Sequence, residues 1–100
     1  MKVTLHLVSR SPFADQTLTQ CLQVLKPQDS IVLLEDATWA LKANQPWRQR
    51  LSQLSETHAI YVLAEDAALR GIAIDPPFLS VDYEKLVTLS CEHQHSMSWF

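Results

Sequence analysis

Glycine occurs once in the 100 residues, at Gly71. A single glycine cannot supply G-x-G-x-x-G, a P-loop or any other phosphate cradle in which the backbone closes on its ligand at several positions. Nucleotide enzymes of the common kinds are excluded. Cysteine is nearly as scarce: Cys21 and Cys91 lie far apart and lack the C-x-x-C spacing of a metal or redox pair, which favours two reduced thiols over a structural disulfide. Positive charge is also in short supply, with 8 Lys and Arg against 11 Asp and Glu, a net charge of -3 and a pI near 5.7. No broad positive field is available for a polyphosphate backbone, so direct nucleic-acid binding is not expected. No apolar run approaches the ~18 residues of a membrane span, and the N-terminus lacks a basic region followed by an apolar stretch and a cleavage site. A soluble cytoplasmic protein is the simplest expectation.

Hydrophobic residues make up 47% of the chain and charged residues 19%, an ordinary globular balance far from that of disordered sequences. A chain of this length hides roughly two-thirds of its unfolded surface, so residues 1–100 are expected to form a single domain around one core.

Strands and helices are expected to alternate. Residues 2–8, rich in β-branched and aliphatic side chains, predict a strand that stops at Ser9-Arg10-Ser11-Pro12. Ser11 suits an N-cap and Pro12 the first helical position. Ala14, Leu18, Cys21, Leu22 and Leu25 then fall on one helical face, predicting a helix over 12–25 that Pro27 stops. Ser30 to Leu34 and Ala59 to Leu63 are short, nearly all-apolar runs, the pattern of strands buried on both faces of a parallel sheet. Helical pieces over 37–41 and 47–54 follow the first run, interrupted near Asn44-Gln45-Pro46. After the second comes a brief helix closed by Gly71. The turn Asp75-Pro76-Pro77 leads to a fourth strand over 78–81 and a last helix over 83–93, with Tyr83, Leu86, Val87 and Ser90 inward. The tail over 96–100 reads as apolar and exposed. Together these predict an α/β layered fold, a mainly parallel sheet with helices on both faces.

Parallel sheets bind ligands outside the carboxyl ends of their strands. Those ends carry Ser9 to Ser11, Glu35 and Asp36, Glu65 and Asp66, and Asp82 and Tyr83. Five carboxylates on one edge would repel an anionic substrate unless a metal intervened.

Cys21 is the first candidate for chemistry, because a thiolate attacks sulfur or carbonyl centres once its pKa is lowered. Nothing local lowers it. The position lies on the apolar stripe in the later half of the helix, where the N-terminal dipole has faded, so a packed thiol and a reactive one both stand. Cys91, His93 and His95 match no zinc spacing, and a helix end whose histidines complement the dipole is the plainer reading. His6 reads as a half-buried histidine with a satisfied hydrogen bond. No G-x-S-x-G elbow exposes a serine.

Leu5-His6 with Ser9-Arg10-Ser11-Pro12-Phe13, Leu33-Leu34-Glu35-Asp36-Ala37, Tyr61-Val62-Leu63-Ala64-Glu65-Asp66 with Ala68-Leu69-Arg70-Gly71, Val81-Asp82-Tyr83 and the ending Met97-Ser98-Trp99 follow one another over nearly the whole chain. In order, spacing and total length these stretches resemble the DsrH/TusB family of small sulfur-relay proteins. The resemblance implies a DsrE-like fold. It further implies one of three related subunits of a heterohexamer, TusBCD in thiolation of the tRNA wobble uridine or DsrEFH in sulfur oxidation, in which sulfur travels as a cysteine persulfide. The main sulfur-carrying cysteine would then belong to a TusD-like or DsrE-like partner, with a TusC-like chain as the other neighbour. Donor and acceptor proteins would be reached indirectly.

On this resemblance the chain is not expected to be catalytic alone; no cofactor is expected, and the spacing of Cys91, His93 and His95 gives no reason to expect a metal. Wobble-uridine thiolation is preferred, with a DsrH-type role in sulfur oxidation as the alternative. Members resembling DsrH carry a cysteine where Cys21 lies, which keeps Cys21 as a candidate persulfide carrier and leaves a stand-alone thiol sulfurtransferase as a further reading. Trp39, Trp47 and Trp99 are more tryptophans than a small core needs, and tryptophan is enriched at interface hot spots. Together with Phe100 they form the candidate partner interface. For Trp39 and Trp47, capping of the core is an equal reading.

Overall fold

The computed structural model describes residues 3–100; Lys2, the expected start of the first strand, lies outside the described residues. Five strands, β1 (Thr4–Val8), β2 (Ser30–Leu33), β3 (Ile60–Leu63), β4 (Leu79–Val81) and β5 (His95–Trp99), form one parallel sheet in the order β4-β3-β2-β1-β5. Between them lie α1 (Thr17–Gln23), a 3-10 helix (Glu35–Leu41), α2 (Pro46–Leu54), α3 (Ala64–Leu69) and α4 (Tyr83–Glu92). Every residue of β2 and β3 is buried, because both strands are central and covered on both faces.

Side-chain alternation divides the core in two. Val8, Ile31, Leu33, Ile60 and Val62 meet Leu18 and Cys21 of α1, Ala37, Ala40 and Leu41 of the 3-10 helix, Leu51 of α2 and Ala67 of α3. Leu5, Val32, Tyr61, Leu63 and Val81 point to the opposite face, where α4 supplies Leu89 and the partly buried Leu86. Helices therefore cover both faces, as the α/β reading predicts.

Four expectations are corrected. The first helix begins at Thr17, not Pro12. Ser11 Oγ accepts from the Phe13 N–H at 3.1 Å, the Ser11 carbonyl accepts from Ala14 N–H, and Asp15 Oδ1 accepts from Thr17 N–H at 3.0 Å. Short polar side chains thus satisfy local donors in a turn that competes with the helix. The fourth strand starts at Leu79, with Phe78 turned into the core. In α4, Tyr83 and Val87 are 55% and 65% exposed and Ser90 also faces out, whereas Leu86, Leu89 and His93 make the inward stripe. Asp82 fixes this helix by accepting from Lys85 N–H at 2.7 Å, an N-cap. Finally, the tail, exposed along most of its length as expected, is also a strand, β5, paired with β1 from Thr4↔His95 to Val8↔Trp99.

The orientation of α4 is directly testable. Leu89→Ala should cost about 2–5 kcal/mol of unfolding free energy, whereas Val87→Ala should stay within about 0.5 kcal/mol. Urea titration of both variants checks this; similar losses would mean that the helix presents a different face.

Candidate functional site

The parallel sheet gathers the loops after its strands at one rim, and the expected side chains are there. Three of the five carboxylates are engaged in structure. Asp66, buried, accepts from the Glu35 N–H at 2.7 Å, holding Glu35 in the left-handed region at φ 46°, which a non-glycine residue seldom adopts. Arg70 donates from Nη2 and Nε to Asp36 Oδ1 at 2.8 and 3.2 Å and from Nη1 to the Asp66 carbonyl at 3.0 Å. The loops after β2 and β3 are thereby laced together. Asp82 is the α4 cap, which leaves Glu35 and Glu65 without a side-chain partner among the described residues.

Above this rim the Tyr83 phenol is pushed up, first by the negative charge of Asp66, then by partial burial and by Glu65 and Glu35. A shallow cleft of about 420 Å³ opens between Ser9, Arg10, Ser11, Ala14, Glu35, Asp36 and Phe100. Arg10 is paired with Asp15. Asp15 is held below the ordinary carboxylate range by the Thr17 N–H and by Arg10, against partial burial. Neither thiol lines this cleft, and among the described residues no group of three or more His, Cys, Asp or Glu is placed to hold a metal ion. A larger cleft of about 750 Å³ lies between the start of α2 and Pro76–Phe78, with the Arg48 guanidinium 5.6 Å from the centre of the Phe78 ring. Amide side chains, Ser52, prolines and this one cation line it, and neither thiol does.

The densest polar cluster is at the other end of the sheet. Asp29, 2% exposed, accepts from Thr4 N–H at 3.2 Å, from Lys26 N–H at 3.0 Å and from His6 Nε2 at 3.0 Å. The other ring nitrogen of His6, Nδ1, lies 3.1 Å from the indole Nε1 of Trp99. An indole N–H only donates, so Nδ1 accepts and Nε2 carries the hydrogen given to Asp29. Burial works against ionisation of Asp29, but the hydrogen bonds from His6, Lys26 and Thr4 outweigh it and hold the carboxyl below the ordinary range. On the α4 face of the sheet a second histidine is satisfied: His93 Nδ1 donates to the Leu89 carbonyl at 2.7 Å and Nε2 accepts from Ser30 Oγ at 3.0 Å. His6 is fully buried rather than half-buried, and its hydrogen bonds are satisfied.

Cys21 has none of its surface exposed. Its thiol is pushed up to about 12, by burial first and by the charge of Asp29 second, so the thiolate that persulfide chemistry requires is disfavoured in this state of the chain. Cys91 is exposed on the last turn of α4. Trp39 and Trp47 are half-buried; Trp47 packs against the core with the Arg50 guanidinium 4.8 Å over its ring. Trp99 packs against the same core while bonded to His6, and Phe100 is 70% exposed. Asp29 was not singled out from the sequence; the only signal available was an acidic residue opening an apolar run.

Comparison with known proteins decides the family. The family described as "DsrH like protein" matches residues 10–96. The chain belongs to the DsrH-like family. Its relatives include Protein TusB of Pectobacterium parmentieri, 34% identical over 98 residues. Protein TusB of Buchnera aphidicola subsp. Baizongia pistaciae and of Escherichia coli O81 are each 29% identical over 97 residues. All three alignments cover 95% of this chain and 99% of the relative. In three dimensions this DsrH-like chain superposes on the crystal structure of the ychN protein from E. coli with a TM-score of 0.82 and 16% identity, over 98% of this chain and 99% of the other. That likeness establishes the shared fold.

Two measurements test the site. In the native protein at pH 8 a thiol reagent such as DTNB should titrate Cys91 and leave Cys21 unreacted until denaturant is added; two fast thiols would contradict the burial. Because the folded-state pKa of Asp29 is depressed, its contribution is complete above the ordinary carboxylate value of about 4 and disappears as pH falls below it through the depressed value. Asp29→Asn should therefore cost about 1–3 kcal/mol near pH 7, with the gap to wild type narrowing below about pH 4. Denaturant titrations at pH 7 and pH 3 check the sign, and an undiminished gap at pH 3 would rule out an ionised Asp29 as its source.

Proposed function

We propose that this chain is a subunit of a sulfur-relay assembly that passes persulfide sulfur toward 2-thiolation of the tRNA wobble uridine, working in the cytoplasm as one domain. The observation that carries this reading is the match, along nearly the full length of both chains, to relatives named TusB. Among the described residues no helix is long and apolar enough to cross a membrane. On this reading the chain completes a heterohexamer with TusC-like and TusD-like subunits, and the sulfur-bearing thiol at the working site belongs to the TusD-like partner. Two features of the chain support that division of labour. The buried, high-pKa thiol of Cys21 is poorly suited to receive sulfur, and the cleft at the rim where parallel sheets bind ligands is lined by carboxylates and serines in place of a thiol. The exposed Phe100, with Trp99, Trp39 and Trp47, supplies aromatic surface for subunit contact.

The experiment is complementation of a strain lacking this gene, with wobble-uridine thiolation measured by nucleoside mass spectrometry. Wild type should restore 2-thiouridine. A Cys21→Ser variant should restore nearly as much, at a stability cost of about 1–3 kcal/mol for burying a hydroxyl without an acceptor. Full loss of thiolation in a folded Cys21→Ser protein would make this chain a sulfur carrier, and wild-type 2-thiouridine in the deletion strain would remove the chain from the pathway.

A further inference from the structure

We propose that the outer edge of β5 pairs antiparallel with β5 of a second copy of this chain, about a two-fold axis passing beside Met97. The two edges of the sheet are unlike. β4 is three residues long, preceded by Pro76-Pro77 and followed by Asp82, the short, proline-flanked and charged kind of edge that resists pairing. β5 has five residues, and from His95 to Phe100 there is no Lys, Arg, Asp, Glu or Pro. Among the described residues no strand lies beyond it.

The direction of its backbone groups follows from the ladder with β1. His95 N–H donates to the Val3 carbonyl at 3.0 Å, and the Trp99 carbonyl accepts from Ser9 N–H at 3.3 Å. Alternation then turns His95, Met97 and Trp99 toward β1 and leaves the N–H and C=O of Ser96 and Ser98 pointing outward. Those open groups are symmetric about Met97. When β5 meets its own copy in antiparallel register, Ser96 faces Ser98 of the other copy twice over, and the two pairs exchange four backbone hydrogen bonds. The serine side chains are small, the strand brings no like charges together, and the 46%-exposed Met97 meets its counterpart at the axis. The five-residue length, the small serines on either side of Met97 and the absence of charge and proline let the strand meet its own copy without repulsion or a missing donor, so the occupant proposed is a second copy. The pairing does not depend on the sulfur-relay reading and is tested on the purified chain.

At the axis the two Met97 Cα atoms form a non-hydrogen-bonded pair about 4.5 Å apart, within reach of a disulfide. The two Ser96 residues, out of register by two positions, lie roughly 8 Å apart at Cα and beyond that reach. In a Cys91→Ser background, Met97→Cys should oxidise to a disulfide-linked dimer, while Ser96→Cys should stay largely monomeric. Adding Ser98→Pro removes one outward N–H per copy without touching the β1 ladder, an edge position that tolerates proline. It should raise the dimer dissociation constant, read by sedimentation equilibrium, by about tenfold or more, since each dimer loses two hydrogen bonds. If circular dichroism shows that the proline variant is unfolded, Met97→Lys serves instead, placing two like charges face to face. The proposal is overturned if Met97→Cys cross-links no faster than Ser96→Cys, or if dimerisation is indifferent to both edge substitutions.

Discussion

The carboxylate of Asp29 stands where β1, the turn before β2 and the first residues of β2 converge, and it accepts from two backbone N–H groups and the His6 ring. Left without it, the buried His6 ring would lose its acceptor, a larger penalty than the net gain of one bond, and the part-buried Thr4 and Lys26 N–H groups would lose theirs as well. The dependence runs further than its own contacts. Asp29 fixes which nitrogen of His6 carries hydrogen, and only that tautomer leaves Nδ1 as an acceptor for the Trp99 indole. One charge at the amino edge of the sheet thus helps to hold the last strand in register, through a chain of donors and acceptors in which each member has one permitted role.

The same charge shapes the chemistry of the core. A carboxylate held ionised near Cys21 adds to burial in disfavouring the thiolate, so the network that stabilises the fold also quiets the thiol beside it. At the opposite edge, acidic residues that suggest a binding rim in sequence prove to hold backbone: Asp66 secures the strained Glu35, Arg70 ties Asp36 to the next loop, and Asp82 starts α4. Carboxylates committed to N–H groups and guanidinium are not available as general acids or metal ligands. Both ends of the sheet are built for rigidity, and this suits a chain whose work, as proposed, is to hold partners in place.

Much of this was legible in the sequence because it rests on strong, local signals. The all-apolar runs of β2 and β3 mark central parallel strands without any knowledge of their neighbours, and Gly71, at φ 67°, sits just past a helix end as expected. What misled was competition between neighbours of similar strength. Ser11 and Pro12 make a good helix start, yet Ser11 and Asp15 stabilise a turn instead, and no propensity scale resolves a choice that depends on where β1 delivers the chain. In α4, Tyr83 and Val87 share a stripe nearly as apolar as that of Leu86 and Leu89; packing against Leu5 and Val32 selected the second. The pairing of Asp29 with His6 spans 23 residues and leaves no periodic trace.

The tail shows why a weak signal can conceal a defining element. Ser96, Met97, Ser98 and Trp99 alternate small polar with apolar side chains, but a run this short beside a chain end reads equally as an exposed remnant. β1 decides the matter: its backbone has two hydrogen-bonding edges, and β2 occupies one. With the other edge otherwise open to solvent, His95–Trp99 is the segment that α4 delivers alongside it, and the Trp99 indole finds its acceptor only in that register. Satisfying β1 in this way moves the open edge outward by one strand. On this side the sheet ends on residues that carry neither charge nor proline, so the completion of the fold is what creates the outward backbone groups of Ser96 and Ser98.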